Sequence, residues 1–247
     1  LSGGYQGRKE SYKDQSSNTR DGLVSENWFS LANSFGVAET SDTRKEQLKY
    51  AYLGMLNLSF KDYLFVEATG RREYASTLPV ENNGYSYYSV NSGFVFSDLW
   101  KLPSFWSYGK LRASYGVVGN APPMYQANIL YKQTSLQSIN GSVPSLISAS
   151  AYGNLGLKPE MKHEAEFGLE TRFFGGRLGL DVSYYNNIIK DQILPLEVAT
   201  TTGAKSQIVN IGEIGNRGFE VALNATPISS GKFRWDTRLN FSTNRTK

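Results

Sequence analysis

The stretch EAEFGLETRFFGGRLGLDVSYY, Glu164 to Tyr185, reads as two strands joined at Gly175-Gly176. On the first strand Ala165, Phe167, Leu169, Thr171 and Phe173 share one side. Glu164, Glu166, Glu170 and Arg172 share the other, with Gly168. On the second, Leu178, Leu180, Val182 and Tyr184 oppose Arg177, Asp181 and Ser183. Side chains alternate between the faces of a strand, so this pair has one apolar wall and one densely charged wall.

The same pattern extends outward in both directions. Between Arg44 and Phe60, residues Leu48, Tyr50, Tyr52, Gly54, Leu56, Leu58 and Phe60 share a face. Lys61-Asp62 makes a turn, and Tyr63 to Arg72 returns with Leu64, Val66 and Ala68 opposite Phe65, Glu67, Thr69 and Arg71. Further strands are expected over Tyr88 to Trp100, Lys110 to Val118, Phe219 to Ala225 and Phe233 to Phe241. Gly22 to Ala32 reads as a strand too, and Leu1 to Tyr12 as a weaker one. The total is nine or ten strands, with no helix.

Composition excludes several classes. The chain has 247 residues, no cysteine and one histidine, His163. Disulfides, thiolate chemistry, cysteine or histidine zinc clusters and His-dependent hydrolysis are therefore out of reach. His163 reads as a residue between a loop and a strand. Glu164 and Glu166 lie on one wall and do not face each other across a cleft, so they are not a paired-acid site. Gly212, Gly215 and Gly218 precede no lysine or helix and do not make a phosphate loop. Asn57-Leu58-Ser59 lies inside a strand. The net charge is +4, and basic residues are scattered singly on strand faces, so no nucleic-acid footprint is present. No enzyme activity, cofactor or metal is expected.

No run reaches the ~18 apolar residues of a membrane-spanning helix. The mean hydropathy of −0.40 looks soluble, but in a membrane β-barrel only alternate residues meet lipid. Sixteen Tyr, 13 Phe and 24 Gly fit strands, turns and interfacial aromatics. Short turns are expected at Lys61-Asp62, Lys101 to Tyr108, Gly175-Gly176 and Ser229 to Lys232. Long connections are expected at Glu73 to Tyr87, Gly119 to Lys162 and Lys190 to Arg217. Consecutive antiparallel strands place the short turns at one end and the long loops at the other, as in outer-membrane barrels. Trp100, Phe105, Trp106, Tyr108, Phe173 and Phe174 cluster at the short-turn end, and Tyr184 and Tyr185 lie toward the other. Phe167, Leu169, Leu180 and Val182 should then face lipid, and Glu166, Glu170, Arg172 and Asp181 the lumen. Both chain ends fall within the pattern, so a longer protein is expected.

Several segments, in order, resemble the SusC/RagA-like TonB-dependent transporters. They are Gly109 to Gly116 with Val118-Gly119-Asn120, Asn154 with Leu157-Lys158-Pro159-Glu160, and Phe173-Phe174 with Arg177 to Asp181 and Tyr184-Tyr185. Lys190 to Leu194, Asn210 to Glu220 and Asn224 to Pro227 continue the likeness. The resemblance implies an all-β fold: an antiparallel transmembrane barrel of about 22 strands with a plugged lumen. Residues 1–247 would be part of that barrel domain, and the plug, TonB box and closing strands would lie outside this chain. It also implies the bacterial outer membrane and import of oligomeric nutrients, glycans or peptides. The implied partners are a SusD-like surface lipoprotein and TonB. Other functions on this architecture are a siderophore or cobalamin receptor and a structural or adhesive barrel without transport. No substrate-binding residue is identified. Loop tyrosines Tyr125, Tyr131 and Tyr152 are expected to pack the loops together more than to stack on sugars.

Overall fold

A computed structural model of the chain describes residues 1–138, 141–148 and 150–247. Residues 139, 140 and 149, within the connection read from Gly119 to Lys162, lie outside the described residues. Nine long strands form one antiparallel sheet in chain order: β1 (Ser2–Leu23), β2 (Ser34–Phe60), β3 (Leu64–Ala75), β4 (Gly84–Phe94), β5 (Trp106–Asn120), β9 (Glu160–Phe173), β10 (Leu178–Lys190), β13 (Glu213–Ser230) and β14 (Phe233–Thr246). The missing numbers are short strands within two connections: β6 (Tyr131–Ser138), β7 (Gly141–Ser148), β8 (Ala151–Tyr152), β11 (Ile193–Glu197) and β12 (Ser206–Asn210). β6 and β7 pair as a hairpin, and β11, β12 and β8 make a small mixed sheet.

The register keeps the two faces separate across strands. Leu111, Leu169 and Val182 are cross-strand neighbours on the apolar face, as are Ala113, Phe167 and Tyr184. Lys110, Glu170 and Asp181 follow one another on the polar face, as do Ser114, Glu166 and Tyr185. A slip by one residue would exchange the faces. The tight turns hold the register in place. Lys61 and Asp62 both adopt positive φ, 48° and 58°, in the three-residue connection between the paired Phe60 and Leu64, a backbone twist that suits a hairpin. At the β9–β10 turn Phe174, Gly175 and Gly176 are left-handed, and glycine supplies two of the three at little steric cost.

The structure corrects several boundaries. Gly22 to Ala32 is not a strand: β1 extends from Ser2 to Leu23, and the chain then turns through a 3-10 segment at Leu31–Asn33. β2 begins at Ser34, ten residues before Arg44. β3 continues to Ala75 and β4 starts at Gly84, so the connection read as Glu73 to Tyr87 shrinks to 76–83. β4 stops at Phe94 and a single helical turn, α1 (Phe96–Leu99), follows where strand was expected. There Phe96 packs into the space left by Gly109 on β5, where a Cβ would lie 2.1 Å from the ring. The β4–β5 connection therefore exceeds the β3–β4 one in length. The two connections with their own strands, after β5 and after β10, still lie at one end of the sheet.

Aromatic rings band both ends. Near the tight turns a chain of neighbouring rings runs from Phe60 and Tyr63 through Phe94, Trp100, Phe96 and Trp106 to Phe173 and Phe105, with centroids 5.5–6.3 Å apart. Toward the other end the rings are mostly tyrosines: Tyr5, Tyr50, Tyr52 and Tyr74 form one group, Tyr88 and Tyr115 a pair, and Tyr184 meets Phe219 at 4.7 Å. Two girdles on one wall are the interfacial arrangement of a membrane barrel.

Candidate functional site

The polar face of the wall is linked laterally by charge. Arg112 on β5 makes a two-pronged contact with Asp181 on β10, with Nη2–Oδ1 2.6 Å and Nη1–Oδ2 3.1 Å, and Nη2 also reaches Ser183 Oγ at 3.3 Å. β9 lies between these strands. Its residue in the path is Gly168, paired with both Arg112 and Ser183. A Cβ there would lie 2.8 Å from Arg112 Nε, so the absence of a side chain opens the route. Beside it a hollow of about 470 Å³ is lined by Asn57, Glu67, Asn91, Lys110, Arg112 and Glu166 among others. Of the four residues expected on this face, Asp181 pairs with Arg112, and Glu170 and Arg172 pair with each other at 2.9 Å.

A second polar cluster joins β1, β3 and β4. Glu73 is 8% exposed and accepts hydrogen bonds from the Tyr85 hydroxyl at 2.7 Å, the Tyr87 hydroxyl at 2.9 Å and Arg71 Nε at 3.0 Å. Arg71 Nη1 donates to Gln6 Oε1 at 2.8 Å. A buried carboxylate is tolerated when its lone pairs are so occupied. Sequence reading placed Glu73 in a loop. The signal was available, since Glu73 continues the Glu67, Thr69, Arg71 alternation and Tyr85 and Tyr87 are spaced to share a face.

Above the wall, at the end of the long connections, the loops form a layer with its own core. Leu157 is fully buried, packed in a cluster with Ala75, Leu78, Tyr85, Ala121, Ala127 and Ile208. Several segments that carried the family resemblance meet here. Asn210 Oδ1 accepts from the Lys158 amide at 2.8 Å, while Nδ2 donates to the Lys158 carbonyl at 2.8 Å and the Asp191 carbonyl at 2.9 Å. Glu160 accepts from the Ile193 amide at 2.8 Å and from Asn120 Nδ2 at 3.2 Å. Asn154 Oδ1 accepts from the Gly156 amide at 2.8 Å and turns the chain toward Leu157. The result is a knot tying the exits of β5 and β10 to the entries of β9 and β13. Loop tyrosines also spend hydroxyls internally: Tyr125 accepts from the Glu46 amide at 3.2 Å, and Tyr152 donates to the Thr202 carbonyl at 3.1 Å. Tyr131 opens β6 and is exposed. His163 sits on β9 with Nδ1 3.1 Å from the Tyr115 hydroxyl, and no group of three or more His, Asp or Glu suited to a metal occurs among the described residues.

These features can be set beside known proteins. Residues 2–247 match the family described as TonB dependent receptor-like, beta-barrel. TonB-dependent receptor P26 of Formosa agariphila is 29% identical over 211 residues, 84% of this chain and 21% of its own length. TonB-dependent receptor SusC of Bacteroides thetaiotaomicron is 26% identical over 218 residues, 81% of this chain and 21% of its own length. The structure of the RagAB peptide transporter superposes with a TM-score of 0.80 at 19% identity, over 99% of this chain and 30% of that one. The chain thus spans about a fifth of the length of these curated relatives. It belongs to the TonB-dependent receptor β-barrel family and forms part of the wall and loops of a larger bacterial outer-membrane barrel.

Proposed function

We propose that the whole protein imports oligomeric nutrients, glycans or peptides, through a TonB-driven barrel capped by a SusD-like surface lipoprotein. The observation that carries this reading is the meeting of the family segments in the loop knot, on a wall whose fold matches that of a peptide transporter. Likeness to SusC supports the same reading. In it the apolar face with its two aromatic girdles meets lipid, and the polar face lines the passage. That face suits hydrated cargo. It offers carboxylates, amides and cations together, and the Arg112–Asp181 contact balances charge locally. The plug, the TonB box and the closing strands would be supplied by the rest of the protein.

Deletion of the gene tests the reading directly. Growth should fail on one glycan or peptide source and remain normal under iron limitation. Loss of growth only when iron is scarce would assign a siderophore receptor instead. Normal growth under every nutrient condition would point to a structural or adhesive barrel.

A further inference from the structure

At the long-loop end, the apolar face carries cations that nothing in the wall neutralises. Arg217 on β13 and Arg245 on β14 stand directly opposite each other in the register, and Asn186 on β10 stands opposite Arg217 on its other side. All three share the apolar face, since the next residues on it are the cross-strand neighbours Tyr184, Phe219 and Thr243. Two residues beyond Arg245, Lys247 exchanges backbone hydrogen bonds with Gly215 at 2.9 and 3.0 Å, which adds a third cation. Among the described residues, neither Arg217 nor Arg245 makes an ion pair or a side-chain hydrogen bond. Arg72, on the same face of β3, is by contrast committed: it donates to Ser86 Oγ at 3.1 Å and lies over the Tyr74 ring at 5.3 Å.

Arg217 has its neighbourhood in place. It lies between β10 and β14, so whatever pairs with the outer edge of β14, or fills the lumen behind the sheet, adds no strand beside it. On this face β9, β10, β13 and β14 offer, among the described residues, a single carboxylate, Glu213, which stands opposite Lys190. At ~3.3 Å per residue Glu213 is roughly 13 Å from Arg217 along the strand. Like charges directly opposite each other destabilise a sheet, and an anion held between them reverses the sign. Depth sets the kind of anion. The Tyr184–Phe219 ring contact lies one pair nearer the middle of the wall, in the girdle where aromatic rings meet lipid headgroups. The two arginines stand just outside that girdle, and guanidinium forks match phosphate oxygens. We propose that Arg217 and Arg245, with Lys247 beside them, bind the phosphate of a membrane-lipid headgroup whose acyl chains lie along Phe219 and Phe241. The proposal rests on the reading that the apolar face meets lipid.

The test uses the full-length protein purified in a neutral detergent. Native mass spectrometry counts the lipid retained when dioleoyl phosphatidic acid is added, against dioleoylglycerol, which lacks the phosphate, and against inorganic phosphate alone. Phosphatidic acid should be retained in preference to both. The double variant Arg217→Gln, Arg245→Gln should weaken its retention by about tenfold, with the barrel's heat-modifiable gel mobility unchanged. Arg217→Gln alone should give a smaller loss, and it carries the test if the double variant misfolds. Equal retention of the two lipids, undiminished retention by the variants, or inorganic phosphate binding as tightly as phosphatidic acid would each overturn the site. A nitroxide at Leu169 separates the two readings. If lipid-soluble oxygen relaxes it while the variants retain lipid as before, only the phosphate site is lost. If oxygen does not relax it, the lipid-facing reading fails as well.

Discussion

At the residue scale, Gly168 matters for what it lacks. Arg112 crosses β9 to reach Asp181 because position 168 carries no side chain. The side chains of both ions are 35% exposed, so water screens the contact and its worth stays near that of a surface pair. A double-mutant cycle of Arg112→Ala and Asp181→Ala, read by thermal unfolding of the full-length barrel, should give a coupling of about 0.2–1 kcal/mol. Repeated in a Gly168→Val background, the coupling should vanish; a coupling of unchanged size would show that the arginine finds another path. Gly109 makes a second such case. Valine there must displace the Phe96 ring, and exchange of the α1 amides should quicken while the β9–β10 amides keep their protection. Alternation placed Gly168 within a strand and left Gly109 just before the one expected from Lys110, both legible in sequence. Their crossing partners were not, because those lie many residues away.

Individual elements divide into wall and loop layer. Wall strands draw their order from ladders and an alternating pattern, both visible in one dimension. The loop layer instead depends on side chains that act as backbone partners. Asn210 serves the Lys158 peptide on both sides and the Asp191 carbonyl. Asn210→Ala removes three hydrogen bonds of about 1 kcal/mol each, partly replaced by water at this exposed site. Protease cleavage within Asp191–Gly212 should therefore accelerate several-fold while the wall resists as before. Equal sensitivity of native and variant proteins would remove Asn210 from the role of clamp. Five short strands in these loops escaped the sequence reading, since stretches such as Ile193–Glu197 and Ser206–Asn210 are too brief for a period to register.

For the whole molecule, the decisive quantity is orientation. These 247 residues contain no cysteine, so a thiol introduced here is read against the same protein without it. Thr201→Cys, in the exposed connection between β11 and β12, should react with a membrane-impermeant maleimide on intact cells. Gly231→Cys, in the exposed turn between β13 and β14, should react only after the outer membrane is breached. Reversal of the two would invert the barrel. The face assignment is tested by nitroxide labels at Leu169 and Glu170: lipid-soluble oxygen should relax the first more strongly, and a water-soluble relaxant the second.

By itself the sequence determined the strands, their two faces, the end at which the long loops gather and the family. All of these follow from a period of two and from short-range turn chemistry, which neighbouring residues encode. Only the tertiary structure decided that Glu73 belongs to a buried cluster and that the family segments from two connections form one knot. It also decided that Arg112 meets Asp181 over a glycine and that Arg217 faces Arg245 across two strands. Those features depend on contacts between residues distant in the chain, set by pairing register and loop packing. The Glu164–Tyr185 hairpin shows the division: its alternation marks it as wall, and its neighbours across the sheet decide what each charge on that wall can touch.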